Sequence, residues 1–183
     1  MNSMGVPVSE EQPIVAETLV MRPVEPRDAP TLVRINSDQA VQDGLGKATP
    51  PTFDGTLGEI AGVRERWGGF FDPRFMFVVT LESQVIGWVE LHPGLQGTPP
   101  NLIGELTVVI DHDHRGSGHA KMALGALIEW GFKRFPSMRE MWGSCVLDNG
   151  ASMAMMEALG MEDCGTVSSN EGRTVRKFRL ERA

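Results

Sequence analysis

Hydrophobic and polar positions along the chain follow two periods, one typical of strands and one typical of helices. Runs of alternating or β-branched residues predict seven strands, at residues 14–22, 75–82, 85–92, 102–110, 140–147, 164–168 and 174–180. Apolar residues at three- and four-residue spacing predict four helices, at about residues 26–35, 57–67, 117–135 and 150–159. The stretch 38–55 is rich in glycine and proline and is predicted to be a loop.

The order of these elements mixes hairpin-joined strands with strand–helix–strand units. This order predicts an α/β (α+β) fold with a single mixed, mostly antiparallel sheet and helices on both faces. Residues 1–13 are polar, contain two prolines and show no hydrophobic periodicity, so we expect a flexible N-terminal tail. Residues 14–183 are expected to form a single domain, because the length is within the usual range for one.

Composition narrows the possible partners. The 24 acidic residues outnumber the 17 basic ones, giving a net charge of −7, so nucleic acid and anionic membranes are poor partners. No apolar run is long enough for a membrane span, and the first 13 residues lack the features of a signal peptide. Cys145 and Cys164 lie in apolar sequence settings typical of buried, reduced thiols. These features predict a cytoplasmic protein.

The segment 106–127 (LTVVIDHDHRGSGHAKMALGAL) carries the clearest chemistry. A hydrophobic strand passes through a glycine turn into a helix, and the N–H groups at such a helix start can bind a phosphate or pyrophosphate. A Walker A loop is excluded because no Gly-Lys-Ser/Thr is present, and Lys121 occupies the position of the last glycine in a dinucleotide-binding G-x-G-x-x-G. ATP and NAD are therefore disfavoured as ligands.

Arg115, Gly118 and Ala120 match the pattern R/Q-x-x-G-x-G/A, and the chain here resembles the GNAT superfamily of N-acetyltransferases. Asn149 and Ser152, followed by LGM at residues 159–161, resemble the second signature of that superfamily, with Met161 in place of its phenylalanine. The opening LVMRPVEPRDAPTLVRI and the segment VIGW at residues 85–88 are also similar, so the resemblance covers about residues 14–180. Its RimJ/RimL-like branch, which includes ribosomal-protein N-terminal acetyltransferases, is the most similar.

The resemblance implies a GNAT fold and an enzyme that transfers acetyl from acetyl-CoA, a co-substrate, to a primary amine by direct attack in a ternary complex, without a metal. An N–H near Val109 would polarise the thioester carbonyl. The implied cofactor-binding residues are Val108, Val109, Ile110, Arg115, Gly116, Ser117, Gly118, His119, Ala120, Asn149 and Ser152.

The resemblance leaves the catalytic residues open. The position of the tyrosine that many relatives use as general acid is occupied by Met156, so Ser152 is the candidate proton donor to the leaving thiolate. Glu105 is the candidate base, Glu90 is a second candidate, and Trp88 and Glu90 are the expected substrate-binding residues. These candidates have plainer alternatives. Asn149 is also a preferred helix N-cap, and Ser152 can donate a hydrogen bond without giving up its proton. Glu105 and Glu90 can be solvated carboxylates, and Trp88 can be part of the core.

The acceptor is the most open point. A protein or peptide N-terminal α-amine is one expectation, and an aminoglycoside- or polyamine-type small molecule is another. A catalytically silent acyl-CoA-binding module is a third reading, because the tyrosine is missing. A homodimer is possible. The cluster of Asp and His at residues 111–114 suggests a metal site only weakly, since a polar loop explains it more simply.

Overall fold

The computed structural model describes residues 7–69, 72–96, 102–168 and 172–182. The strands are β1 (Ile14–Ala16), β2 (Leu19–Pro23), β3 (Phe75–Leu81), β4 (Gln84–Gln96), β5 (Leu102–Ile110), β6 (Met138–Val146), β7 (Glu162–Ser168) and β8 (Thr174–Glu181). The helices are α1 (Ala29–Asn36), α2 (Gln39–Leu45), α3 (Phe53–Arg66), α4 (His119–Arg134) and α5 (Gly150–Ala158). Among the described residues, none of the helices is long and apolar enough to cross a membrane.

The strands form one sheet in the order β1-β2-β3-β4-β5-β6-β8-β7. Every neighbouring pair is antiparallel except β5 and β6, which are parallel. This arrangement confirms the predicted mixed, mostly antiparallel sheet. The turn between β3 and β4 places Glu82 and Ser83 at φ 49° and 70°, as expected for a two-residue hairpin with a type I′ turn.

Helices cover both faces of the sheet. On one face, Gly131 of α4 lies against Leu91 and Met141, and Gly143 of β6 lies beneath Met156 of α5. On the other face, Trp88 of β4 donates a hydrogen bond to Asn36 of α1, and Arg74 pairs with Glu59 of α3. We refer to these two faces as the α4–α5 face and the α1–α3 face.

Two elements differ from the sequence prediction. The predicted strand at residues 14–22 is two short strands, because the chain reverses at Glu17, whose φ is 52°. The predicted loop at residues 38–55 contains α2, which Asp38 caps by accepting from the Val41 N–H and which Gly46 ends at φ 70°. Ordinary capping chemistry thus outweighs the glycine content of this stretch.

The expected burial of both thiols is also only half right. Cys145 is buried on β6, whereas Cys164 is exposed on β7, an edge strand with six of its seven residues exposed. Neither cysteine is in a disulfide.

A gap opens in the sheet between β5 and β6. Their pairing extends only from Leu102 with Met138 to Glu105 with Trp142, although β5 continues to Ile110 and β6 to Val146. Over residues 106–110 and 143–146, which the structure describes, the two strands have separated. The backbone groups of β5 that point toward β6 are therefore available to a ligand.

Candidate active site

The glycine turn between β5 and α4 has the conformation that its two glycines permit. Gly116 and Gly118 have φ values of 78° and 80°, in the left-handed region where other residues are strained. A Cβ added at either position would have no atom within 4 Å, so the space in front of the turn is open. Gly118 is the N-cap of α4.

The backbone donors of this turn point away from the protein. Among the described residues, the N–H groups of Gly116, Ser117, Gly118, His119 and Ala120 have no protein acceptor. The N–H of Arg115 donates to the His112 carbonyl at 3.3 Å, so the open donors begin one residue later than the sequence suggests. Unpaired N–H groups at the start of a 16-residue helix form a site for an anionic group.

The side chain of Arg115 turns toward the protein. Its Nε donates to the Ile110 carbonyl at 3.0 Å and its guanidinium pairs with Asp38 at 3.1 Å. Arg115 therefore fixes the turn against the end of β5 and the start of α2.

The alternation of β5 decides which of its residues face the gap. The Asp111 N–H donates to the Ile86 carbonyl at 2.8 Å, in register with the pairing of Gly87 and Ile110. Because backbone groups alternate in direction, Val109 bonds toward β4, whereas Val108 and Ile110 point into the gap. The Val109 N–H is thus used within the sheet, and Val108 is the nearer open donor.

Asn149 and Ser152 meet β6 beside the gap. The Asn149 Oδ1 accepts from the Ser152 N–H at 3.0 Å, so Asn149 caps α5. The Ser152 hydroxyl lies beside the Cys145 thiol, and burial raises the pKa of that thiol. Cys145 is therefore held as a neutral thiol and is unsuited to be a nucleophile.

Trp88 and Glu90 share the α1–α3 face but are already engaged. Trp88 is 7% exposed and its Nε1 donates to Asn36 at 2.9 Å. Glu90 is 6% exposed and accepts from Arg74 at 2.6–3.0 Å through both carboxylate oxygens. A carboxylate neutralised in this way is a poor candidate for a base.

Glu105 lies on the same face as Glu90 but is differently placed. It stands opposite His92 of β4 and next to Trp142 of β6, at the last residue before the gap. In the described part of the chain, its half-buried carboxylate has no ion-pair or hydrogen-bond partner, and the indole N–H of Trp142 has no acceptor. Sequence reasoning missed His92, although the spacing Trp88-x-Glu90-x-His92 would place all three on one face.

In the Asp/His segment at residues 111–114, Asp111 serves the fold. Asp111 is buried and accepts two bonds from Arg34 of α1, at 2.5 and 3.1 Å. These bonds hold the pKa of Asp111 below its ordinary value. Among the described residues, no group of three or more His, Cys, Asp or Glu side chains is placed to hold a metal ion.

Comparisons with known proteins agree with this geometry. The family profile described as acetyltransferase (GNAT) domain matches residues 18–162. Curated protein sequences give no significant match. Among solved structures, an acetyltransferase of the GNAT family from Bacillus anthracis superposes with a TM-score of 0.76 at 21% identity, covering 93% of this chain and 98% of that one.

Two further neighbours differ in their named substrates. The RimL ribosomal L7/L12 α-N-protein acetyltransferase, in complex with coenzyme A, superposes with a TM-score of 0.76 at 17% identity and covers 93% of this chain and 98% of its own. The aminoglycoside acetyltransferase AAC(6')-Ib, also in complex with coenzyme A, superposes with a TM-score of 0.73 at 15% identity, covering 90% and 95%. At these identities the likeness shows the shared fold. Since the family profile spans most of the chain, the protein belongs to the GNAT acetyltransferase family, whose members use acetyl-CoA.

Proposed function

We propose that this protein transfers an acetyl group from acetyl-CoA to a singly charged primary amine, with a protein or peptide N-terminal α-amine as the preferred acceptor. The observation that carries the choice of acceptor is the charge on the α1–α3 face. Of the carboxylates described beside Glu105, Glu90 is neutralised by Arg74, and Asp72 binds both His92 and Arg66. One open carboxylate suits one ammonium group, whereas a polycation such as an aminoglycoside needs several.

The residues around the gap fit acetyl-CoA. The open N–H groups of Gly116 to Ala120 match a pyrophosphate in charge and hydrogen bonding. The free edge of β5 offers the backbone groups of Val108 and the N–H of Ile110 to an extended amide-bearing arm, as a neighbouring strand would bind, whereas the Ile110 carbonyl already accepts from Arg115. The carboxamide NH₂ of Asn149 has no partner among the described residues and can donate to the same arm.

Acetyl-CoA supplies the activated thioester, and residues of this chain position the thioester and the incoming amine. The Val108 N–H is suited to polarise the thioester carbonyl, and Glu105 is suited to hold or deprotonate the incoming ammonium. The Ser152 hydroxyl, beside Cys145, can donate a hydrogen bond to the departing sulfur. The free thiols of Cys145 and Cys164 fit a reducing cytoplasm.

An acceptor screen tests this proposal. Release of free CoA thiol is measured with four acceptors. Two are a lysine-containing peptide with a free N-terminus and the same peptide with its N-terminus blocked. The other two are spermidine and an aminoglycoside. We expect the unblocked peptide to be acetylated fastest, because about 10% of an α-amine but only about 0.04% of a lysine amine is neutral at pH 7. Glu105→Gln should lower the rate with this peptide about 100-fold, whereas Glu162→Gln on the exposed edge strand should not change it.

The rival functions give different results in the same screen. Equal rates with the unblocked and the blocked peptide would contradict the preference for an α-amine. Faster turnover of spermidine or the aminoglycoside would show a polycation acetyltransferase. Binding of acetyl-CoA without turnover of any amine would show a silent acyl-CoA-binding module.

A further inference from the structure

The described residues contain a second proton acceptor on the α1–α3 face that the family likeness does not assign. The His92 Nε2 lies 2.5 Å from Oδ1 of Asp72, and this bond lowers the pKa of Asp72. A carboxylate bonded to one ring nitrogen of histidine fixes the tautomer, so Nε2 carries the hydrogen. The other ring nitrogen, Nδ1, then keeps its lone pair, and it has no partner among the described residues.

The sheet places this ring next to the open carboxylate. His92 of β4 and Glu105 of β5 stand directly opposite each other on adjacent antiparallel strands. Side chains in such a pair have their Cβ atoms about 4.5–5.5 Å apart. Asp72, His92 and Glu105 therefore follow one line across the α1–α3 face, ending at the point where β5 and β6 separate.

We propose that His92, oriented by Asp72, accepts the proton of the acceptor ammonium while Glu105 binds that ammonium beside it. This inference rests on the proposed function and deepens it by naming the base. Imidazole suits this step better than a carboxylate does, because its ordinary pKa of about 6.5 is closer to that of an α-amine. The side chain of His92 is 17% exposed, so water can complete the path between the amine and Nδ1.

Among the described residues, the contacts and the strand pairing place three carboxylates near His92. Asp72 faces it from the segment before β3 and also binds Arg66 of α3 at 2.9 Å. Glu105 faces it from β5, and Glu90 precedes it on β4 with its charge neutralised by Arg74. Asp72 bonds to one ring nitrogen of His92, and Glu105 stands opposite His92 in the strand pairing.

The proton and the bonds balance in this step. The ammonium gives its proton to Nδ1, directly or through one water, and the neutral amine forms the new C–N bond at the thioester carbon. The C–S bond breaks and the sulfur leaves as thiolate, which takes up a proton to become the CoA thiol. A second proton from the amine nitrogen is released, so one proton in total reaches the solvent and His92 returns to its neutral form.

The test compares three variants with the unblocked peptide as acceptor. His92→Gln should lower kcat about 100-fold with the KM for acetyl-CoA within twofold of the original. The fall of kcat at acidic pH, which reports the base, should disappear in this variant. Asp72→Asn should lower kcat about tenfold, because the ring loses the carboxylate that fixes its tautomer and orientation.

Arg66→Gln is the matched control for Asp72. It removes the other partner of the same carboxylate and leaves the bond to His92, so kcat and its pH profile should remain unchanged. His92→Ala with added imidazole separates a chemical role from a structural one. We expect added imidazole to raise the rate of this variant at least tenfold above its rate without imidazole.

Opposite results would overturn the proposal. A His92→Gln variant with kcat within threefold of the original, or with the same acidic fall, would exclude His92 as the base. A large loss that imidazole does not restore would show a structural role only. Absence of turnover in the unaltered protein with every amine would refute the proposed function first, and this inference with it.

Discussion

At the scale of single residues, several side chains near the proposed site already have a structural role. Asn149 caps α5 through its carbonyl oxygen, which leaves its NH₂ group for a ligand. Glu90 has the position of a base but is bound by Arg74, whereas Glu105 has the same orientation and is open. Hydrogen-bond partners, more than residue type, therefore decide which side chain can act.

The two roles of Asn149 can be separated by substitution. Asn149→Asp keeps an oxygen that accepts from the Ser152 N–H, so the thermal midpoint should stay within about 1 °C. It replaces the NH₂ donor by a carboxylate, and the affinity for acetyl-CoA should fall about tenfold. Asn149→Ala removes both the helix cap and the NH₂ donor, so its affinity for acetyl-CoA should fall and its free energy of unfolding should drop by about 1 kcal/mol. Calorimetric titration checks this, and unchanged affinity in Asn149→Asp would mean that Asn149 only caps the helix.

At the scale of elements, two ion pairs join the segment 111–115, which leads into the glycine turn, to α1 and α2. Arg34 of α1 binds Asp111 at the end of β5, and Arg115 of the turn binds Asp38, the N-cap of α2. These contacts hold α1, α2 and the glycine turn in one arrangement. We expect them to stabilise the fold in a pH-dependent manner.

Arg34→Gln tests this expectation. The bonds from Arg34 lower the pKa of Asp111 in the folded protein. They therefore stabilise the protein fully at pH values above the pKa of an aspartate in the unfolded chain, which is about 3.9. That stabilisation is lost as the pH falls through the lowered pKa of Asp111 in the folded protein. The free energy of unfolding of the variant should therefore be about 1–2 kcal/mol lower near pH 7. This loss is smaller than for a fully buried pair because the Arg34 side chain is 54% exposed. The difference between the two proteins should shrink below about pH 4.

Urea unfolding from pH 3 to pH 8 measures this difference. Arg27→Gln is the control, since the pair of Arg27 with Glu25 is exposed on both sides and should contribute less than about 0.5 kcal/mol. A difference that does not depend on pH would contradict the role assigned to Asp111.

At the scale of the whole molecule, the sheet order and the gap between β5 and β6 bring distant segments together. The sequence predicts the strands, the main helices and the glycine turn because each is encoded by neighbouring residues. It does not predict that β5 and β6 separate after Glu105, because that depends on pairing between strands about 36 positions apart. It also misses His92, whose partners Asp72 and Glu105 lie 20 and 13 positions away along the chain.

The central claim is that the open N–H groups after Arg115 bind the pyrophosphate of acetyl-CoA, and the thermal midpoint tests it most directly. Acetyl-CoA at 100 times its Kd contributes about 2.7 kcal/mol, which raises the midpoint of a domain of this size by about 5–10 °C. ATP and NAD should not produce this shift. Gly118→Glu should abolish it, because the new carboxylate enters the open space in front of the turn.

Gly165→Glu is the matched control for this measurement. Gly165 has φ 81° and open space around it on β7, so the substitution adds the same charge and the same backbone strain at a position on the edge strand. We predict that this variant keeps the full acetyl-CoA shift while Gly118→Glu loses it. An absent shift in the unaltered protein, an equal shift with ATP, or a full shift in Gly118→Glu would contradict the account.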